Sequence, residues 1–318
     1  MSGRVVVLCG GVGGAKLVLG LSKVLPPERL LVVVNTGDDF EHLGFTICPD
    51  LDTVTYTLAD LADRERGWGR GDETWHFMET LRGLGGPDWF NLGDRDLALH
   101  AARTVRLNAG ERLSTITADL LARLGVAVPV VPMSDDPVRT VVETDEGPLP
   151  FQHYFVRRRC EPKVSGFRFE GGERATPHPA FIAALQDAGA VIVAPSNPYV
   201  SVDPILSLPG VRDAMARSAA RVVAVSPIVG GQAIKGPAAK MMAELGIPAS
   251  AEAVARHYRG LIDALVIDEA DKAAKADIAA LGMDVHVTQT VMRGLDDRIA
   301  LAREVLSVAA ATGRRATA

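Results

Sequence analysis

Val5-Val6-Val7-Leu8-Cys9, followed by Gly10-Gly11-Val12-Gly13-Gly14-Ala15-Lys16, decides the fold class. The first five residues are a short, β-branched, wholly apolar run, the pattern of a strand buried on both faces. Glycines interrupt it, and a helical apolar period then fills residues 15–25 until Pro26-Pro27 closes it. A second apolar run at residues 30–34 ends in Asn35-Thr36-Gly37-Asp38-Asp39. Strand, helix and strand within about 30 residues read as a right-handed parallel βαβ unit. The same grammar returns at residues 191–194, 221–225 and 264–267, each an apolar run ending in a polar loop. Helical patterns occupy residues 74–84, 96–108, 179–188, 238–245, 251–261 and 293–309. Residues 139–144, 149–156 and 164–169 alternate or carry β-branched side chains around Gly and Pro, as antiparallel strands do. The expected fold is α/β: a Rossmann-like, doubly wound, mostly parallel sheet in one domain spanning residues 1–318. A small antiparallel and helical insertion is expected at about residues 138–170.

Composition narrows the function. The chain of 318 residues is 47% apolar and 23% charged, which excludes disorder, collagen and coiled coil. Its formal charge is −5, and Arg157-Arg158-Arg159 is too short a run to carry a duplex or a membrane surface. Cys9, Cys48 and Cys160 fit neither a disulfide framework nor a zinc spacing. With no signal-peptide pattern and no apolar stretch near the ~20 residues of a membrane span, a cytoplasmic protein is expected. The tail from Thr312 is expected to fray.

Polar loops stand at the ends of the apolar strands, where ligands bind in doubly wound sheets. Gly10, Gly11, Gly13 and Gly14 let backbone approach a ligand, and the following helix offers free N–H groups to a phosphate. Neither a dinucleotide fingerprint nor a Walker loop fits, because Lys16, Ala15 and Leu17 stand where those motifs need other residues. A tight turn without a ligand is the alternative. Asn35, Thr36 and Asp38 could read a ribose or base, or form an Asx turn. In Cys48-Pro49-Asp50-Leu51-Asp52-Thr53, Asp50 and Asp52 suit a hard cation such as Mg²⁺, while Asp52 alone could be a helix N-cap. Asn91-Leu92-Gly93-Asp94-Arg95-Asp96 opens a helix and either lines a cleft or serves its first turn. The loops holding Ser134-Asp135-Asp136, Ser196-Asn197 with Ser201, and Ser226-Pro227 with Lys235 offer further fixed polar groups. Trp68, Trp75 and Trp89 are core or cleft wall, with room for a flat ligand to stack. No close His pair or G-x-S-x-G elbow is present, which removes zinc hydrolysis and serine hydrolysis.

Taken in order along the chain, these segments resemble one family, the 2-phospho-L-lactate transferases (CofD/FbiA) of coenzyme F-420 biosynthesis. The resemblance runs from Gly10 to about Asp271. It implies transfer of a phosphoacid (2-phospholactate, phosphoenolpyruvate or a phosphoglycerate) from its guanosine-diphosphate-linked donor to the ribityl hydroxyl of the deazaflavin F0. GMP leaves, Mg²⁺ is required, and the enzyme is a homodimer. The glycine loop with Lys16, the Asn35 loop, and Ser196, Asn197, Ser201, Ser226 and Pro227 would hold the guanosine diphosphate part. Asp50 and Asp52 would hold the metal, with Asp50 also a candidate base. Asp50, Asp52, Asn91, Asp94 and Arg95 would face the deazaflavin, although Asn91 stands where some members carry a basic residue. The competing classes are a nucleotide-sugar-binding regulator of the gluconeogenesis-factor branch and an NAD-dependent oxidoreductase, the latter weakened by Lys16.

Overall fold

The computed structural model describes residues 3–63, 65–234 and 236–311; Lys235 and the tail from Thr312 lie outside them. The chain opens with strand β1 (Val5–Cys9), helix α1 (Gly11–Val24) and strand β2 (Leu30–Val34). A hairpin of β3 (Phe40–His42) and β4 (Phe45–Ile47) leads into α2 (Pro49–Leu58). Helices α3 (His76–Gly83), α4 (Asp94–Asn108) and α5 (Leu113–Arg123) precede β5 (Val130–Pro132). Then β6 (Arg139–Thr144), β7 (Gly147–Pro150) and β8 (Val164–Glu170) form a three-stranded antiparallel sheet. Next come α6 (Pro179–Gln186), β9 (Ala190–Val193), α7 (Asp203–Ser207), α8 (Val211–Arg217) and β10 (Arg221–Val225). After a small hairpin, β11 (Ile228–Val229) and β12 (Gln232–Ala233), follow α9 (Ala238–Glu244), α10 (Ala251–His257) and β13 (Ala264–Asp268). Helix α11 (Lys275–Ala279), strand β14 (Asp284–Thr288) and helix α12 (Leu295–Ala310) complete the described chain.

The described central sheet has seven strands in the order β14-β13-β10-β9-β1-β2-β5, and its neighbours pair in parallel. From β1 the chain winds outward through β2 to β5, then returns to the other side of β1 as β9 and winds outward again. The direction of winding thus reverses between β1 and β9, the switch point outside whose strand carboxyl ends a crevice forms in such sheets. The expected doubly wound α/β architecture is present.

Strand alternation divides the core. Val5, Val7 and Cys9 pack toward α1, α2, α5 and α12, whereas Val6 and Leu8 face the cluster built from α6, α8, α9, α10 and the antiparallel sheet. Helix α1 lies so close to α12 that a Cβ on Gly20 would come 2.1 Å from the Arg298 carbonyl oxygen. Among the described residues, no helix is long and apolar enough to cross a membrane.

Two expectations need correction. Residues 149–156 are not one strand: β7 stops at Pro150 and the chain coils into a helical turn at His153–Arg157. Proline confines β7 to a sheet edge, and Phe151 stacks on Phe155 four residues on, a helical spacing. Helix α1 starts at Gly11 rather than at residue 15, with extended Gly10 at its N-cap and Gly11 at φ +62°. The glycines are thus the helix's first turn rather than a loop before it.

Candidate functional site

A cleft of about 650 Å³ occupies the crevice. Its floor is the α1 glycine turn, and its walls come from the start of α2, the start of α4, the turn at 151–156 and the loops after β9, β10 and β14.

At the glycine end, Pro49 at the first position of α2 sets the helix start, which turns Asp50 inward. Asp50 is buried, accepting the Gly11 N–H through Oδ1 at 2.6 Å and the Asn35 Nδ2–H through Oδ2 at 2.9 Å. Asn35 also donates to Asp38 Oδ1 (3.0 Å) and to the Val200 carbonyl (3.2 Å), tying three strand-end loops together. Burial pushes the Asp50 carboxyl up to about 6, against the pull of its Asn35 and Gly11 hydrogen bonds. Burial, and then the charge of Asp50, raises Asp38 well above the usual carboxylate range. Asp39 behind them is pushed up by burial to about 7. Asp38 and Asp50 thus bring two closely spaced carboxyl groups to the cleft, both raised chiefly by burial.

The Ser196 hydroxyl donates to the Gly10 carbonyl at 2.6 Å and accepts from the Gly10 N–H at 3.1 Å, so it latches the glycine turn to the loop after β9. A Cβ on Gly13 would stand 2.3 Å from the Pro195 carbonyl oxygen of that loop. Backbone cannot swing aside as a flexible side chain can. Gly13→Ala is therefore expected to cost about 1–3 kcal/mol, the usual penalty of overpacking, and to weaken nucleotide protection. Urea unfolding with and without GDP measures both; unchanged stability and binding would mean that the loops need not touch.

Asp52 has a different setting. Both its oxygens are gripped by the Arg103 guanidinium, Oδ2 at 3.1 Å from Nη1 and Oδ1 closely by Nη2, with His100 Nδ1 3.6 Å from Oδ2. Asp52 and Arg103 are both buried, and Cys48 rather than Asp52 is the N-cap of α2. Burial works against the Arg103 charge, yet Asp52 holds the guanidinium firmly protonated. One turn further along α2, the Tyr56 hydroxyl donates to Asp96 Oδ1 at the start of α4.

Asp94 and Arg95 do not line the cleft. Asp94 accepts from Thr74 Oγ1 (2.6 Å) and from the His76 and Phe77 N–H groups, capping α3. Glu73 reciprocates by accepting the Arg95 and Asp96 N–H groups at the head of α4. Arg95 is exposed. These placements correct the expectation that both residues face the acceptor. Asn91 does line the cleft.

The lining is also aromatic: Trp68, Trp89, Phe90, Phe151 and Phe155 belong to it. Trp89 meets His42 and His153 edge-on at 5.0 and 4.8 Å, and Arg66 sits over the rings of Trp68 and Trp75 at 5.2 and 4.8 Å. Trp75 itself is not part of the lining.

The remaining expected residues divide by their partners. Lys16 and Ser201 line the cleft, and Lys16 Nζ donates to the Met292 carbonyl at 3.0 Å. Asn197 and Ser226 line it too, but Asn197 Oδ1 accepts the Tyr199 N–H and the Ser226 hydroxyl closes a turn with Ile228. Pro227 faces the cleft, whereas Gly14, Asn35 and Thr36 stand behind its surface. Asp135 and Asp136 lie outside it, tying down Ser114 and Thr176. Tyr56, Gln152, His100 and Thr290–Met292 line the cleft unforeseen, and Arg103 supports it.

A hard cation finds a better fit in Asp38 and Asp50 than in Asp50 and Asp52. All three line the cleft, but the first two are bridged by one amide, whereas both oxygens of Asp52 are already held by the single guanidinium of Arg103. Among the described residues no group of three or more His, Cys, Asp or Glu forms a cage, but Mg²⁺ needs only one or two carboxylates beside substrate phosphates.

With this geometry in view, the family model described as 2-phospho-L-lactate transferase CofD matches residues 5–297. The chain belongs to the CofD family. A Streptomyces griseus protein named phosphoenolpyruvate transferase is 43% identical, over 96% of this chain and 98% of its own. A Methanosarcina mazei protein named 2-phospho-L-lactate transferase is 38% identical, over 95% and 99% respectively. Among solved structures, protein BH3568 of Bacillus halodurans, of the UPF0052 family, shares the fold at TM-scores of 0.61 and 0.63 in two crystal structures. It is 17–18% identical and matches over 96% of this chain and 99–100% of its own, a likeness of fold alone.

Proposed function

We propose that this CofD-family protein transfers a phosphoacid, phosphoenolpyruvate in the first instance, from its guanosine-diphosphate-linked donor to the ribityl hydroxyl of the deazaflavin F0. GMP is released and a phosphodiester remains. One observation carries this proposal: a single cleft is lined both by a helix N-terminus with buried acids and by five Trp and Phe side chains from other segments. The first set suits a metal-bound diphosphate and the second a flat tricyclic ring. Phosphoenolpyruvate is preferred to 2-phospholactate because the relatives named for it are 41–43% identical, against 38% for the Methanosarcina protein. A homodimer in the cytoplasm follows from the same family resemblance.

The chain's own work is alignment and charge control, which dominate phosphoryl transfer. The Gly10 and Gly11 N–H groups are taken by Ser196 and Asp50, so the Val12 and Gly13 N–H groups in the first turn of α1 would meet the diphosphate, with Ser196 keeping the turn in place. Mg²⁺ on Asp38 and Asp50 would neutralise the diphosphate. The acceptor oxygen forms its bond to the acid-proximal phosphorus while the bond to the GMP oxygen breaks.

GMP release should require F0, and the product should be heavier than F0 by the phosphoacid in mass spectrometry. GDP should also raise the melting temperature more than ADP at equal concentration, since ligand binding shifts stability by mass action. Rapid GMP release without acceptor would make the protein a hydrolase, and NADH oxidation with a carbonyl substrate would make it an oxidoreductase. Nucleotide binding without turnover of any guanylated acid would favour the regulator class.

A further inference from the structure

Asp50 was the sequence's candidate for a base, but it forms the proposed cation pair with Asp38, and its oxygens already accept the Gly11 and Asn35 N–H groups. A hydroxyl nucleophile still has to lose its proton. Among the acids lining the cleft, Asp38 and Asp50 are bound together by Asn35, and Asp52 is bound to Arg103. That leaves Asp96.

Three features mark its setting. The Tyr56 hydroxyl and His100 Nε2 (3.3 Å) both approach Oδ1, while among the described residues Oδ2 receives no hydrogen bond. Tyr56 and His100 are almost wholly buried, and Arg103 fixes the far side of the imidazole, 3.3 Å from Nδ1. The Asp96 backbone N–H is held in turn by Glu73 at 2.9 Å. One oxygen is pinned from behind, and the other, on a residue of the cleft wall, has no hydrogen-bond partner among the described residues.

We propose that Asp96 is a catalytic residue that accepts the proton of the attacking acceptor hydroxyl, with Tyr56 and His100 as the positioning residues that orient it. The inference rests on the transferase function proposed above and extends it to the acceptor side. As the acceptor oxygen bonds to phosphorus, its O–H bond breaks and the proton passes to Asp96 Oδ2. The phosphorus–oxygen bond to GMP breaks, its electron pair leaves on the GMP phosphate, and Asp96 later returns its proton to water. Transfer is late, because the hydroxyl becomes acidic only as its oxygen gains the phosphorus bond. An ionised carboxylate is therefore strong enough. Although burial pushes the other way, the His100 ring and Tyr56 hydroxyl hold Asp96 below the usual carboxylate range, so it stands ready as an acceptor.

Asp96→Asn, assayed with Mg²⁺, F0 and guanylated phosphoenolpyruvate, is expected to lower kcat by about 10²–10⁴-fold, the range for losing a general base. The donor KM and the GDP-induced thermal shift should stay near wild type. Asp96→Ala should regain part of its rate when formate is added, because a small carboxylate can enter the space and take the proton. Tyr56→Phe should lower kcat at least several-fold with the donor KM unchanged. A folded Asp96→Asn with near-wild-type kcat overturns the proposal, and so does a folded Asp96→Ala that formate leaves unmoved. Should neither Asp96 variant fold, Tyr56→Phe with unchanged kcat overturns it. Absence of F0-dependent GMP from wild type instead overturns the proposed function itself, and this inference with it.

Discussion

Asp50→Asn is expected to give a folded protein whose transfer rate falls by about 10²–10³-fold, the size of one lost electrostatic contact in a transition state. Asparagine keeps the side chain's shape, and its oxygen can still accept the Gly11 N–H. What disappears is a negative charge beside Asp38, at the place where the proposed transfer needs a diphosphate neutralised. The Mg²⁺ dependence should flatten with the rate, because binding alone cannot recover an interaction used in the transition state. The pH dependence of stability gives a second, activity-independent reading. Asp50, pushed to about 6, and Asp39, pushed to about 7, bind protons more tightly in the folded chain than in the unfolded one. Their contribution to stability is therefore full below the ordinary carboxylate range and is lost as pH rises through 6 to 7. Metal-free wild type should melt higher at about pH 5 than at about pH 8, and Asp50→Asn should show a smaller difference. Single-turnover rates against Mg²⁺, with melting curves across pH, measure both. A wild-type rate in the variant, with unchanged Mg²⁺ response, would place the metal elsewhere.

The parallel frame was legible because it is written in contiguous residues. Val5–Cys9 and Leu30–Val34 are each wholly buried, so each had to be apolar throughout, and the glycines between them mark where backbone meets backbone. Strand Asp284–Thr288 escaped notice because it sits half-buried at the sheet edge, where polar and apolar side chains alternate over only five residues. The site was legible where one loop carries several of its groups, as with Gly10 to Lys16 or Ser196 to Ser201. It was hidden where partners come from distant segments. Nothing near Asp52 announces Arg103, 51 residues away, and nothing near Asp94 announces that it caps a helix beginning at His76. The acidic run Asp94-Arg95-Asp96 splits three ways for a helical reason: successive residues point about 100° apart, so only Asp96 turns into the cleft.

The Asp52–Arg103 pair should dominate stability among single substitutions at the site. Had Asp52 been a helix cap, Asp52→Asn would be nearly silent, since Asn caps about as well as Asp. In the buried pair the same change leaves the Arg103 guanidinium without its counter-charge, surrounded by Cys48, His100 and Thr46 rather than water. Removing one partner of such a pair costs about 3–5 kcal/mol, much of it the penalty of the charge left behind. Arg103→Met should cost a similar amount by stranding Asp52 instead. Removing both charges together should cost less than the two single losses added, because neither charge is then stranded. Urea unfolding of Asp52→Asn, Arg103→Met and the Asp52→Asn/Arg103→Met double variant closes the cycle. Additive losses would mean that the two side chains do not depend on each other. A silent Asp52→Asn would free its carboxylate for the metal, and the Asp38–Asp50 pair would no longer be the better cation site.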